Sequence, residues 1–251
     1  MDLQLRDRVY VVTGATAGLG FASARALVDD GAKVVICSRT AQRVEAAVAA
    51  LGSENARGVA IDLAQADAAE RLTSLAQETY GRLDGAILSV GGPPGGAARD
   101  IDDEQWRDSF ETVFLGPLRV ARAVLNSGDD KAVAFVLSTS VKSPVPGLGI
   151  SNALRPGLAG AAKSMAEEYG PRGSRVTMVL PGRLETDRIK ELESAAADPA
   201  AVRAHFEGLI PLGRYGRPEE LGRVAAFLVS PAASYLTGIA VPVDGGLTRA
   251  L

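Results

Sequence analysis

Cysteine, histidine and tryptophan each occur once in the 251 residues, as Cys37, His205 and Trp106, and aromatic side chains make up 5% of the chain. A lone cysteine excludes an intramolecular disulfide and fits a reducing compartment. It follows Val34-Val35-Ile36, a buried-strand pattern in which a thiol behaves as a small hydrophobe. No metal site is expected. No apolar run approaches the roughly 20 residues that span a bilayer. Asp2, Arg6, Asp7 and Arg8 stand where a signal peptide would have its apolar core. Charge of one sign is also lacking: 27 basic residues face 30 acidic ones, interspersed, for a net charge of -3. That excludes a nucleic-acid stripe and a patch for an anionic membrane. What is present, 47% hydrophobic and 23% charged residues, describes a globular chain that can fill one large α/β core. A soluble, cytoplasmic protein is expected.

The chain is organised around Val9 to Gly20, which reads VYVVTGATAGLG. A run of β-branched and aromatic residues ends in Thr13-Gly14. Gly18-Leu19-Gly20 then opens an amphipathic segment that runs to Asp30. Strand, glycine turn and helix in this order seat a diphosphate on bare backbone, at the positive end of a helix dipole. Gly14 permits the tight turn, Gly18 the close approach, and Gly20 the packing of helix on strand. Thr16, Ala17 and Leu19 complete the cradle.

Strands and helices alternate from there on. Strands are predicted at Lys33 to Ser38, Gly58 to Ile61, Gly85 to Val90, Ala132 to Ser138, Arg175 to Leu180 and Ile239 to Val243. Helices are predicted at about Ala41 to Leu51, Ala66 to Tyr80, Asp102 to Leu125, Ser151 to Tyr169 and Pro218 to Leu228, with a polar helical insert at about 187–210. Such alternation gives an α/β fold: a doubly wound, Rossmann-type parallel sheet of about seven strands with helices on both faces. Residues 1–251 read as one dinucleotide-binding domain whose insert forms a substrate lid.

Ligands of such sheets bind beyond the carboxyl ends of the strands. The second strand ends in Ser38-Arg39-Thr40, where a carboxylate would otherwise accept bonds from the adenosine ribose. A guanidinium matches a phosphate bidentately, so NADP(H) is favoured over NAD(H). Arg43, one turn on, is either a second phosphate ligand or a surface residue. Asp62 at the third strand end either holds the adenine amino group, with Leu63 against the ring, or caps a helix. Gly91 and Gly92, in the loop GGPPGG, suit close approach to a ribose.

The sequence resembles the short-chain dehydrogenase/reductase family over nearly its whole length. The matching features are Thr13-Gly14-x-x-x-Gly18-x-Gly20, Asp62-Leu63, Trp106, Pro181-Gly182 with Thr186, and Pro211-Leu212-Gly213-Arg214. Arg217-Pro218-Glu219-Glu220, Leu236-Thr237-Gly238 and Val243-Asp244-Gly245-Gly246 match as well. The resemblance implies a bound NAD(P), with Pro181, Gly182 and Thr186 among its contacts. It also implies a small carbonyl or alcohol substrate and a homotetramer or homodimer. The family's chemistry uses an asparagine, a serine, a tyrosine that donates the proton, and a lysine that lowers the tyrosine's pKa and holds the nicotinamide ribose. Ser138 matches the serine. The tyrosine position is Ser151, the lysine position is Arg155 and the asparagine position is Val113.

A serine hydroxyl is a far weaker acid than a phenol, whose pKa is about 10. An arginine, with a pKa above about 12, clamps oxygens but does not shuttle protons. The catalytic candidates are therefore Ser138, Ser151 and Arg155, the last also a ribose ligand. Lys142, His205 and Tyr215 are weighed as replacement acids, and each reads more readily as a surface or packing residue. Tyr169 and Lys163 lie too far along their helix, and Asn152 has no assigned direction. Three functions remain open: an NADP(H)-dependent oxidoreductase with an altered site, a nucleotide-binding sensor or partner subunit without dehydrogenase chemistry, and a different reaction in the same pocket, such as dehydration or isomerisation.

Overall fold

The computed structural model describes residues 1–194 and 196–250. Its sheet has seven strands in the order β3-β2-β1-β4-β5-β6-β7, every neighbouring pair parallel. The strands are β1 (Val9–Thr13), β2 (Lys33–Ser38), β3 (Ala56–Ala60), β4 (Gly85–Leu88), β5 (Ala132–Val136), β6 (Arg175–Pro181) and β7 (Ala240–Val243). The order reverses between β1 and β4, and the crevice at this switch is where such sheets take ligands.

Alternation along the strands sorts the core into two layers. Val9, Val11, Val35, Val133 and Phe135 face one side, packing on α3 (Ala68–Tyr80), α5 (Gly116–Asn126) and α6 (Gly149–Tyr169). Tyr10, Val12, Val34, Ile36 and Ala134 face the other, packing on α1 (Gly18–Asp29), α2 (Ala41–Leu51) and α9 (Pro218–Val229). Cys37 is buried in the first layer, as its neighbours imply.

Three expectations change. The third strand begins two residues and ends one residue earlier than predicted, because its register with β2 sets Ala56 against Val34. The long crossover helix is interrupted: α4 (Asp103–Ser109) passes into a π-helical turn, Phe110–Leu115, before α5. Pro117 explains the break, since it has no N–H for the Val113 carbonyl and its ring crowds that oxygen. The insert is two helices, α7 (Asp187–Ser194) and α8 (Pro199–Leu209), with Asp198 capping the second through a 2.9 Å bond from Ala201 N.

Candidate active site

The glycine turn leaves the start of α1 without internal partners. Its cap position is Ala17, which has no side-chain acceptor, and no acidic residue stands in the first turn. The first backbone N–H groups of the helix therefore point into the crevice unsatisfied, as a diphosphate requires. Gly14 has φ +57°, and a β-carbon there would lie 2.7 Å from the Ser89 carbonyl oxygen. A β-carbon on Gly20 would meet the Gly14 carbonyl oxygen at 2.3 Å. Thr13 Oγ1 donates to the Ser89 carbonyl at 2.7 Å, tying the β1 turn to the end of β4. Thr186 stands across the turn, its methyl 3.6 Å from where a Gly18 β-carbon would be. These features fit a dinucleotide's diphosphate.

At the end of β2, Ser38 is half-buried and Arg39 exposed; among the described residues Arg39 has no carboxylate partner. Thr16, Ala17 and Arg43 line a cavity of about 440 Å³ beside the turn, together with Asp187 of α7. Asp62 accepts from Ala64 N at 3.0 Å and closes a local turn. It does not cap α3, which begins at Ala68 after Asp67, so the capping alternative falls. Leu63 is buried beside it. Gly91 and Gly92 are exposed, and Gly182 lies so close to Asp244 that a β-carbon would sit 2.5 Å from Asp244 Cβ.

Past β5 the chain turns sharply at Thr139–Val141, where Ser138 Oγ accepts from Ser140 N at 3.1 Å. Ser140 is buried, and its hydroxyl lies 3.3 Å from that of Ser151. Ser138, Ser140 and Ser151 thus form one hydroxyl group of neighbours. Ser140 was not singled out from the sequence; the run Ser138-Thr139-Ser140 at a strand end was its only signal. Asn152 faces the other way, exchanging two bonds with the Val145 backbone at 2.9 and 2.8 Å and so fixing the loop before α6.

Arg155, one turn beyond Ser151, is only 6% exposed. Its Nη1 donates to the Val136 carbonyl at 3.0 Å. The β4–β5 ladder ends at Leu88 and Phe135, so that carbonyl has no donor from β4. The guanidinium therefore sits at the carboxyl ends of the central strands. Burial pulls its pKa down to about 10, and it remains a cation at neutral pH. Val113 is buried within the π-helical turn.

Replacement acids are absent from this group. Tyr10 donates to the Val229 carbonyl, Tyr169 to Asn126, and Tyr215 to Glu193 at 2.6 Å; Tyr235 is fully exposed and Tyr80 ends α3. Burial, and then the Glu193 bond, push Tyr215 up to about 12. Lys142 and His205 are exposed, the latter edge-on to Phe206. Lys163 donates to the Gly238 carbonyl, away from the site. A residue that sequence reasoning missed is Arg188. From α7 it reaches across to the Pro93 carbonyl at 2.7 Å, over Gly92, and closes the insert on the loop after β4.

A family model described as enoyl-(acyl carrier protein) reductase matches residues 14–248. The chain belongs to the short-chain dehydrogenase/reductase family. It is 31% identical to the 3-oxoacyl-(acyl-carrier-protein) reductase FabG of Vibrio cholerae, over 98% of this chain and 99% of the relative. It is 32% identical to human dehydrogenase/reductase SDR family member 4, over 96% of this chain and 88% of the relative. Among solved structures, an actinorhodin polyketide ketoreductase with NADPH superposes with a TM-score of 0.90 at 30% identity, covering 96% of this chain and 97% of that one. These short-chain dehydrogenase/reductase relatives are oxidoreductases of carbonyl and alcohol groups.

Proposed function

We propose that the chain is an NADP(H)-dependent oxidoreductase that interconverts a small carbonyl and an alcohol through an atypical site. The observation that carries this is the uncapped start of α1 beside a β2 end that bears Arg39 in place of a carboxylate. The diphosphate lies on the N–H groups of the turn, with Thr16, Ala17, Gly18 and Leu19 around it and Thr186 opposite. Arg39 takes the 2′-phosphate, and Arg43 lines the cavity beside the turn with Thr16 and Ala17. Asp62 and Leu63 flank the adenine, Gly91, Gly92, Pro181 and Gly182 border the nicotinamide half, and Ser38 lies under the ribose. When bound, the cofactor supplies or accepts the hydride. Ser138, whose oxygen already accepts from Ser140 N, keeps its own proton to donate to the substrate oxygen. With no phenol at position 151, the proton comes from water, and loss of a positioned acid lowers the rate by about 10² to 10⁴.

Fluorescence titration with NADPH and NADH tests the cofactor, and NADPH consumption against ketones, aldehydes and quinones tests the reaction. Arg39→Asp is expected to weaken NADPH by about 10- to 100-fold, the range of a charge-assisted bond, and NADH far less. Equal weakening would remove the phosphate assignment.

The serine and arginine at the tyrosine and lysine positions favour a second reading, a nucleotide-binding sensor or partner subunit without turnover. Tight NADPH binding with no consumption of any carbonyl supports it. Activity appearing in Ser151→Tyr combined with Arg155→Lys would show that these two residues silence an intact pocket. The family resemblance supports a homotetramer or homodimer in the cytoplasm. Phe110, stacked on Phe114 at 5.1 Å and 42% exposed, and the small residues Gly157 and Gly160 of α6 offer a helical face for it. Sedimentation reads the oligomer directly.

A further inference from the structure

The start of α7 spans the switch between β1 and β4. Thr186 stands across from Gly18, and Asp187 lines the cavity with Thr16 and Ala17. Arg188 then lies over Gly92 with its bond on the Pro93 carbonyl, and Leu192 comes within 3.7 Å of where a Gly95 β-carbon would be. A dinucleotide seated on the glycine turn lies beneath this helix. Yet the insert has almost no core to hold it down: among the described residues α8 buries none and α7 buries one, Glu193.

Glu193 is 8% exposed and accepts from Tyr215 Oη at 2.6 Å. A carboxylate is buried at a cost that its hydrogen bonds must offset, so this bond decides where the end of α7 sits. Tyr215 is itself buried, and the chain beside it is tied to the segment leaving β6. Gly216 N donates to the Arg183 carbonyl at 3.0 Å, and Glu185 N to the Gly216 carbonyl at 2.8 Å. The Arg183 guanidinium lies 3.9 Å from the Glu193 carboxylate and 3.4 Å from the Phe206 ring centroid in α8. The insert is thus fastened to the sheet by polar contacts at its far end. An element held in this way, with little apolar burial, opens at low free energy.

We propose that Glu193 and Tyr215 form a latch: they are positioning residues that hold α7 shut over the crevice, so that a dinucleotide enters and leaves only when the pair parts. The latch rests on the dinucleotide reading for its ligand, whereas the fastening of the helix does not.

Stopped-flow fluorescence of the whole protein with NADPH tests the gate. Tyr215→Phe keeps the ring beside Arg203 and removes only the hydroxyl. Association and dissociation are both expected to quicken about 10- to 100-fold, the effect of losing one charge-assisted bond, while Kd stays within about threefold. Glu193→Gln, which still accepts from the phenol, should fall between wild type and Tyr215→Phe. Rates within twofold of wild type in Tyr215→Phe overturn the latch, even if its melting temperature falls, since that would make the pair merely structural. Faster release with unchanged association also overturns it, because the helix would then stand open in the free protein. Hydrogen exchange without cofactor separates the latch from its ligand: amides of α7 should exchange about 10- to 100-fold faster in Tyr215→Phe, with those of α1 unchanged. Should no dinucleotide bind, the dinucleotide reading falls and exchange alone decides, equal rates overturning the latch. If Tyr215→Phe does not fold, Glu193→Gln carries both measurements, and unchanged rates in it overturn the proposal.

Discussion

Arg155 and Cys37 show what burial does to a titratable side chain. A base whose folded pKa lies below its unfolded value destabilises the fold wherever it is charged in both states. For Arg155 that penalty is fully present below about 10 and is relieved as pH rises from there toward 12.5. Arg155→Met, which removes the charge but keeps the stem, is therefore expected to raise the melting temperature at pH 7 by about 2–4 °C, equivalent to about 1 kcal/mol. The gain should shrink at pH 11; a clear loss of stability at pH 7 would contradict it. Burial likewise pushes the Cys37 thiol up to about 12. Thiolate is then about one part in ten thousand at pH 8, so a thiol reagent should label the native protein no faster than it unfolds. The burial of Cys37 was legible in its strand neighbours Val34-Val35-Ile36, whereas the environment of Arg155 was not legible beyond its residue type. The arginine at position 155 was visible, but that it would be enclosed without a counter-charge depended on where β4 stops pairing.

Elements show the same division. The amphipathic period and end signals placed α2 and β2 residue for residue, because Gly52 and the Val34–Cys37 run are local signals. The π-helical turn before Pro117 was hidden because its flanks are helical on both sides, and only the missing N–H distinguishes them. The insert offered least: ELESAAADPAA is polar and alanine-rich, and what fastens it are side chains meeting distant segments, Tyr215 on Glu193 and Arg188 on the Pro93 carbonyl. Arg188 holds α7 to the Pro93 carbonyl and also lies 3.6 Å from Glu191 of its own helix. Arg188→Ala removes the bond to the opposite loop while leaving helix propensity almost unchanged. Backbone amides of α7 are then expected to exchange hydrogen about 5- to 10-fold faster, as loss of a bond worth about 1 kcal/mol implies, with those of α6 unaffected. Uniform exchange in wild type and variant would mean that the two segments are not coupled through this residue.

At the scale of the molecule, parallel strands put all the chemistry at one end of the sheet and leave the other end to hold it together. That polarity was readable from the alternation of strand and helix, and so was the list of strand-end residues from Gly14 to Thr186. Which residues meet was not, since Ser140 finds Ser151, and Arg155 the Val136 carbonyl, only once β5 and α6 are packed. At the amino ends, Asp84 accepts from Val9 N at 2.8 Å and from Arg8 at 3.2 Å, and Arg82 grips it at 2.8 and 2.6 Å. Asp84 is nearly buried, whereas Arg8 and Arg82 are one-third to one-half exposed. Removing the carboxylate therefore frees two cations that water can still solvate, but strands the Val9 amide at the start of β1. Asp84→Ala should lower stability by about 2 kcal/mol, a fall of about 4–8 °C in melting temperature for a chain of this size. Because the change lies at the opposite end from the glycine turn, dinucleotide affinity below the transition should stay within about twofold of wild type. An affinity that fell along with the melting temperature would show that the two ends of the sheet are coupled rather than independent.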